Sequence, residues 1–177
     1  ADTVAPDSLK KSNSIDAPID YIAGDSIIFK MKSRVIEVYG EGNVKYKDIE
    51  LSSGKIDLDL NKREVFAKAI IDTTGEKLDK PHFKQSSDEF DADSMRYNFD
   101  SKKGLAYGII TEQEDGYLHS QKTKIHENEE IHIKGGKYTT CDLDHPHFYV
   151  GMTRGKVIPK RQIVTGPAYL VIEDITT

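Results

Sequence analysis

Ile56-Asp57-Leu58-Asp59-Leu60 runs through a polar tetrapeptide, Asn61-Lys62-Arg63-Glu64, into Val65-Phe66-Ala67-Lys68-Ala69-Ile70-Ile71. Apolar and charged residues alternate over the first five positions. A period of two puts Ile56, Leu58 and Leu60 on one face of a strand and Asp57 and Asp59 on the other. The same pattern recurs. An offset of 27 towards the N-terminus lays Phe29-Lys30-Met31 over Ile56-Asp57-Leu58, and Gly40-Glu41-Gly42-Asn43-Val44 over Ala67 to Ile71. An offset of 39 the other way lays Met95-Arg96-Tyr97-Asn98-Phe99 over Ile56 to Leu60, and Ala106-Tyr107-Gly108-Ile109-Ile110 over Ala67 to Ile71. The template is an alternating strand, a polar turn, then small-x-small-apolar. It predicts an all-β protein built from repeated strand pairs.

Composition agrees with strands that keep one face wet. Apolar residues make up 37% and charged residues 31% of the 177, leaner in the first and richer in the second than a thick two-sided core requires. That length fits one domain. No apolar run approaches the roughly 18 residues of a membrane-spanning helix. A net charge of −5 and the lack of a basic aromatic platform argue against a nucleic-acid partner. A single cysteine, Cys141, excludes an internal disulfide framework. Ala1 in first place is what a processed secreted chain or a trimmed one would show.

Residues 1–19, with Pro6, Pro18 and no periodicity, read as a flexible leader, and residues 20–177 as the folded domain. Lys30, Lys32, Lys45 and Lys47 interleave with apolar residues in the first rung, and Ser52-Ser53-Gly54 forms a corner into the second. The extra length between the second and third rungs falls in residues 73–85, whose Thr73-Thr74-Gly75 and Asp79-Lys80-Pro81 predict a protruding loop. Asp115-Gly116 predicts a tight hairpin turn. A more degenerate fourth rung follows through Ile131-His132-Ile133 and Gly135-Gly136, and a final stretch runs through Phe148-Tyr149-Val150 to Tyr169-Leu170-Val171-Ile172. No helix of ten residues is expected.

Copies this small must stack to bury their apolar faces, at about 4.8 Å per strand. Phe29, Met31, Val38, Ile56, Leu58, Leu60, Met95, Tyr97 and Phe99 would line a continuous apolar trough, with the small-x-small positions permitting a bend or bulge. The trough either closes as a dry core or gapes and receives an apolar ligand. Met31 and Met95 suit irregular acyl chains and gap-filling equally.

The repeats, with Gly40-Glu41-Gly42-Asn43-Val44 among their clearest copies, resemble the OstA-like family of lipopolysaccharide transport. Gly136-Lys137-Tyr138-Thr139-Thr140-Cys141, followed by His145-Pro146-His147-Phe148-Tyr149-Val150, is similar to the place in its LptD members where the periplasmic domain meets the outer-membrane barrel. The resemblance spans about residues 22–174. It implies a V-shaped, mostly antiparallel β-jellyroll in the periplasm, associated with the outer membrane, whose groove shelters the acyl chains of lipopolysaccharide. It further implies edge-strand addition: a periplasmic bridge protein at the N-terminal end (residues 20–29) and an outer-membrane barrel at the C-terminal end (residues 163–175). Residues 136–177 would then lead towards barrel strands beyond Thr177, unless the chain is a soluble LptA-like relative. Cys141 would sit where the family forms a disulfide to the barrel.

Other chemistry is poorly supported. Cys141, His145 and His147 are close in sequence, but C-x3-H-x-H matches no common zinc spacing and lacks a fourth ligand, so no metal or cofactor is expected. Asp57, Asp59, Asp91, Asp93 and Asp100 recur at equivalent positions, as acids do in some β-helix enzymes acting on polysaccharide. Their alternation with apolar residues predicts a solvated outer face instead. The rival readings are that polysaccharide-acting β-helix and a purely structural scaffold.

Overall fold

The computed structural model describes residues 18–86, 88–113, 116–128, 130–143, 145–158, 161–173 and 175–176, with no helix among them. Most of the leader, half of the Asp115-Gly116 turn and the side chain of Ile163 lie outside the described residues. Six long strands organise the molecule: β3 (Val35–Tyr46), β4 (Ile49–Asp59), β11 (Lys103–Gln113), β12 (Gly116–Ile125), β13 (Ile131–Thr139) and β14 (Phe148–Ile158). The others are β1 (Asp20–Ile22), β2 (Ser26–Lys30), β5 (Glu64–Lys68), β6 (Ile70–Ile71), β7 (Lys77–Leu78), β8 (His82–Gln85), β9 (Asp88–Asp91), β10 (Ser94–Asn98), β15 (Gln162–Thr165), β16 (Ala168–Ile172) and β17 (Ile175–Thr176).

Each long strand bends halfway and serves both arms of a V. One arm is ordered β2-β3-β4-β5-β10-β11-β12-β13-β14-β15. The other is ordered β1-β3-β4-β8-β9-β11-β12-β13-β14-β16-β17. Every pairing among the described residues is antiparallel, and the whole is an antiparallel β-jellyroll. The bend is visible in the ladders: β3 slips against β4 between Tyr39 and Gly42, and β11 keeps its register on β12 from Tyr107–Lys122 to Ile109–Ser120 but loses the pair between them at Gly108. Left-handed backbone marks this crease at Gly40 (φ 70°), Gly108 (φ 62°) and Gly135 (φ 64°). Glycine adopts that region without the Cβ penalty, so the small residues of the repeat fall where a strand must fold over.

The hairpin turns at the far end of the first arm give the true repeat. Arg34, Arg63 and Lys102 all take left-handed φ at the same turn position, and each lies six residues before a crease residue, Gly40, Ala69 or Gly108. The first and second rungs are therefore offset by 29, not 27; the offset of 39 holds. Two residues is one strand period, so the slip moved residues along the strand while keeping their faces. Adjacent turns are clipped together by Asn61 Nδ2 donating to Ser33 O and Asn98 Nδ2 donating to Lys62 O, each at 2.9 Å.

Residues 73–85 do not form one loop. The β6–β7 hairpin is exposed, and its tip is closed by Asp72, which accepts from the Thr74 and Glu76 amides. Pro81 is fully buried, and β8 is a core strand that places Phe83 inside, because the arm needs a partner for β4 that β5 does not supply on that side of the crease.

Candidate functional site

The space between the arms is the expected groove, and its two halves differ. From β3 to β11 it is filled. Nearest the crease lie Val38, Ile56, Ala67, Met95 and Ala106; the next row holds Ile36, Leu58, Val65 and Tyr97. Val44, Leu51, Phe83, Ala92 and Ile109 face them from the other arm in one continuous cluster. At the mouth, rings close the gap. Tyr46 meets Phe99 with centroids 4.9 Å apart, and Phe83 meets Tyr97 at 6.0 Å and Phe90 at 5.1 Å. Burial pushes the Tyr97 phenol above its usual pKa.

The nine residues expected to line a trough are thus divided. Val38, Ile56, Leu58, Met95 and Tyr97 are packed inside, the most exposed of them, Tyr97, at 5%. Leu60 and Phe99 are half-buried against the same cluster. Phe29 faces inward, since its cross-strand partner is Ile36, but it sits on the edge strand and is 52% exposed. Met31 lies in the β2–β3 turn, 79% exposed and outside the interior, because the corrected offset makes it the counterpart of Leu60 and Phe99 at the strand's last position.

Beyond β11 the lining changes. The row next to the crease becomes Ser120, Gly136, Met152 and Ala168 on one arm and Thr123, Ile133, Gly155 and Thr165 on the other. Ser120 and Thr123 spend their hydroxyls on each other at 2.7 Å. Side chains this small cannot fill the space, and the next row stands open. Leu118, Tyr138, Val150 and Leu170 are directly opposite one another on the inner face, with Phe148 and Ile172 beyond. Among the described residues no ring pair bridges the arms here, and Phe148, Val150, Leu170 and Ile172 are all exposed. Sequence reading found these strands but not their inward face, because Tyr149, Tyr169 and Val171 make the opposite face apolar too.

The carboxylates point outward into ion pairs. Lys30 Nζ lies 2.7 Å from Glu37, Lys55 Nζ 3.5 Å from Asp57, Lys62 Nζ 3.4 Å from Asp59 and Arg96 3.3 Å from Glu64. Arg63 meets Asp100 and Lys77 meets Asp93, each at 2.6 Å, and Asp91 takes His82 at 2.8 Å. The hydrogen bond from Lys30 is the main reason Glu37 titrates below the usual carboxylate range. Cys141 is a free, half-buried thiol just after β13. Thr139 Oγ1 donates to Phe148 O at 2.6 Å and accepts from the Cys141 amide at 3.0 Å, so the Tyr-Thr-Thr-Cys block fastens the β13–β14 connection. Among the described residues no group of three or more His, Cys, Asp or Glu stands in metal-ligand geometry.

Among the described residues no further strand covers either end of each arm. There β1 and β2 pair only with β3, β15 only with β14, and β17 only with β16. These coincide with the two edges expected from the sequence.

No family model matches the chain, and no curated protein does. Among solved structures it is similar to LptH, the LptA-homologous periplasmic component of the lipopolysaccharide transport device from Pseudomonas aeruginosa. The TM-score is 0.54 at 14% identity, over 85% of this chain and 94% of that one. At that identity the two share a fold, which is an LptA-like β-jellyroll.

Proposed function

We propose that this protein is a periplasmic, non-catalytic carrier domain for lipopolysaccharide, sheltering acyl chains between its arms on their way to the outer membrane. The observation that carries the reading is the unfilled half of the V, where Leu118, Tyr138, Val150, Leu170, Phe148 and Ile172 form an apolar slot beyond the packed core. Its fold is that of a protein described as a component of lipopolysaccharide transport. A slot lined with aliphatic and aromatic groups can offset the cost of exposing hydrocarbon to water. At about 0.8 kcal/mol per CH2, ten methylenes gain roughly 8 kcal/mol gross. Transfer demands comparable affinity at successive stations, not tight binding, and an apolar lining supplies it.

In this reading the acyl chains arrive from the bridge-protein side along the row of Leu58, Tyr97, Ile56, Val38 and Met95 when the Tyr46–Phe99 and Phe83–Tyr97 contacts part, with Leu60, Phe29 and Met31 towards the rim. They come to rest in the open C-terminal half, next to the outer-membrane component. The unpaired edges receive neighbours by strand addition, a bridge protein on β1 and β2 and the outer-membrane component on β15 to β17. Cys141, the one cysteine of the sequence, is available for a disulfide to another protein or to a barrel.

A photo-crosslinking residue at Tyr138, Tyr97, Leu58 or Asp57, expressed in cells, tests the reading. Capture of lipopolysaccharide from Tyr138, and from Tyr97 and Leu58 at lower yield, with none from Asp57, is the expected outcome. Capture from Asp57 alone, or from no position, removes the carrier function. The filled centre of the N-terminal half then favours a rigid spacer.

A further inference from the structure

The outer face of the first arm changes character at β12. Over β2 to β10 its cations alternate with acids, and Lys30, Lys55, Lys62 and Arg96 each have a carboxylate within 3.5 Å. Over β12, β13 and β14 the register instead sets Lys122, Lys134 and Arg154 directly opposite one another, and Lys124, His132 and Lys156 in the adjacent row. Neighbouring strands are about 4.8 Å apart, so five permanent cations and an imidazole occupy a patch three strands wide. Like charges directly opposite destabilise a sheet. Among the described residues one carboxylate, Glu130, relieves them, through Lys156 at 2.9 Å and His132 at 4.0 Å. Lys122 lies over the Tyr107 ring, 5.2 Å from its centroid. Lys124, Lys134 and Arg154 have no ion pair among the described residues. In a chain of net charge −5 this is a segregated basic surface, not a basic composition.

We propose that this face docks flat on the anionic headgroups of a phospholipid bilayer. Three features select that occupant. The patch is planar and two-dimensional, matching a surface of phosphates better than a single anion, which needs a concave site. Exposed Tyr107 and Val164 flank it, at the start and end of its rows, and suit an interfacial setting. The matching face of a second copy is a poor complement over β2 to β10, because its acids Glu37, Asp57, Asp59 and Glu64 are already paired. The surface lies on the outside of the arm, so the inference is independent of the interior slot.

Each cation near an anionic surface contributes roughly a fivefold gain in partitioning at modest ionic strength. The test is flotation of the full chain with vesicles of phosphatidylcholine containing phosphatidylglycerol, against pure phosphatidylcholine. Binding is expected only to the anionic vesicles, and is lost on raising salt because exposed charges are screened within about 8 Å at 0.15 M. K134E/R154E should weaken it at least about tenfold. K134Q/R154Q, which leaves the backbone pairing and side-chain volume nearly intact, should weaken it less but in the same direction. K32E/R34E, an equal charge change in the exposed β2–β3 turn, should leave it unchanged. Equal binding to both vesicle types, equal loss in the turn variant, or abolition by millimolar inorganic phosphate overturns the proposal. So does retention of soluble polyglutamate with no vesicle binding, which would assign the face to an acidic protein.

Discussion

The two halves of this V share strands, crease and hairpin geometry, yet one is shut and the other open. The difference lies in the residues nearest the crease. In the N-terminal half Val38, Ile56 and Met95 stand there with Ala67 and Ala106 between or beside them, backed by Leu58 and Tyr97 and sealed by the rings of Tyr46, Phe83 and Phe99. In the C-terminal half they are Ser120, Gly136, Thr123 and Gly155, with Met152 and Ile133 as the large exceptions. A repeated backbone sets two sheets at an angle; side-chain volume then decides whether the angle is filled. One half supplies rigidity, and the other an apolar surface still facing water.

Truncation should break this comparison most visibly. Leu58→Ala removes a side chain that is 1% exposed from the centre of the filled half and should cost about 2–5 kcal/mol, read as a shift in the urea midpoint at constant slope. The creases sharpen it further. A Cβ at Gly40 would lie 2.7 Å from Asp25 Cβ and 3.0 Å from its backbone nitrogen, with φ at 70°. Left-handed strain and an immovable neighbour together predict a loss of roughly 2–4 kcal/mol for Gly40→Ala. At Gly135, φ 64°, the obstacle is the end of the Gln121 side chain, 2.6 Å away, which can swing aside. Gly135→Ala should therefore cost only about 1–2 kcal/mol, nearly all of it backbone strain. Equal losses at the two glycines would mean that the open half is as constrained as the filled one.

Much of this was legible in the residues. Alternation in Ile56 to Leu60 fixed both the strand and its inward face, and the offset to Met95, Tyr97 and Phe99 is correct to the residue. The offset to the first rung differs by two because Gly40-Glu41-Gly42 spans a bulge, while Ala67-Lys68-Ala69 runs off the end of β5. Alignment on small residues and alignment on turns then disagree, and only backbone geometry arbitrates. The strand at His82–Gln85 was hidden behind turn-forming neighbours, since a four-residue segment has too little periodicity to announce itself. Whether the groove is filled was not legible at all. That depends on the sum of volumes from two arms, and pattern along one strand carries no information about its opposite.

Alkaline pH reaches the filled half through a buried phenol. Burial raises the Tyr97 phenol, so the unfolded chain, with its tyrosines near pKa 10, releases that proton first. The stability it contributes is fully present below about pH 10 and declines as pH rises from there through the folded value. Tyr97→Phe should flatten that part of the decline in thermal melts recorded across the alkaline range. An unchanged slope would mean that the ring at the mouth is already hydrated and the seal between Phe83 and Tyr97 loose.

The smallest change is one methyl group exchanged for a hydroxyl, made once in each half. Val38→Thr places that hydroxyl where exposure is zero, among Ile56, Ile36 and Gly42, and an unpaired buried hydroxyl costs about 1–3 kcal/mol. Val150→Thr makes the same exchange at a position 40% exposed, where water still reaches the side chain, and stability should move by less than about 0.5 kcal/mol. Lipid should read the two positions the other way round. Removing one apolar methyl from the slot is worth about 0.8 kcal/mol to an acyl chain lying over it, a loss of roughly fourfold in capture from Tyr138. A Val150→Thr variant that keeps both its stability and its full lipid yield would place the acyl chains elsewhere, because no hydrocarbon in contact with that side chain could ignore the exchange.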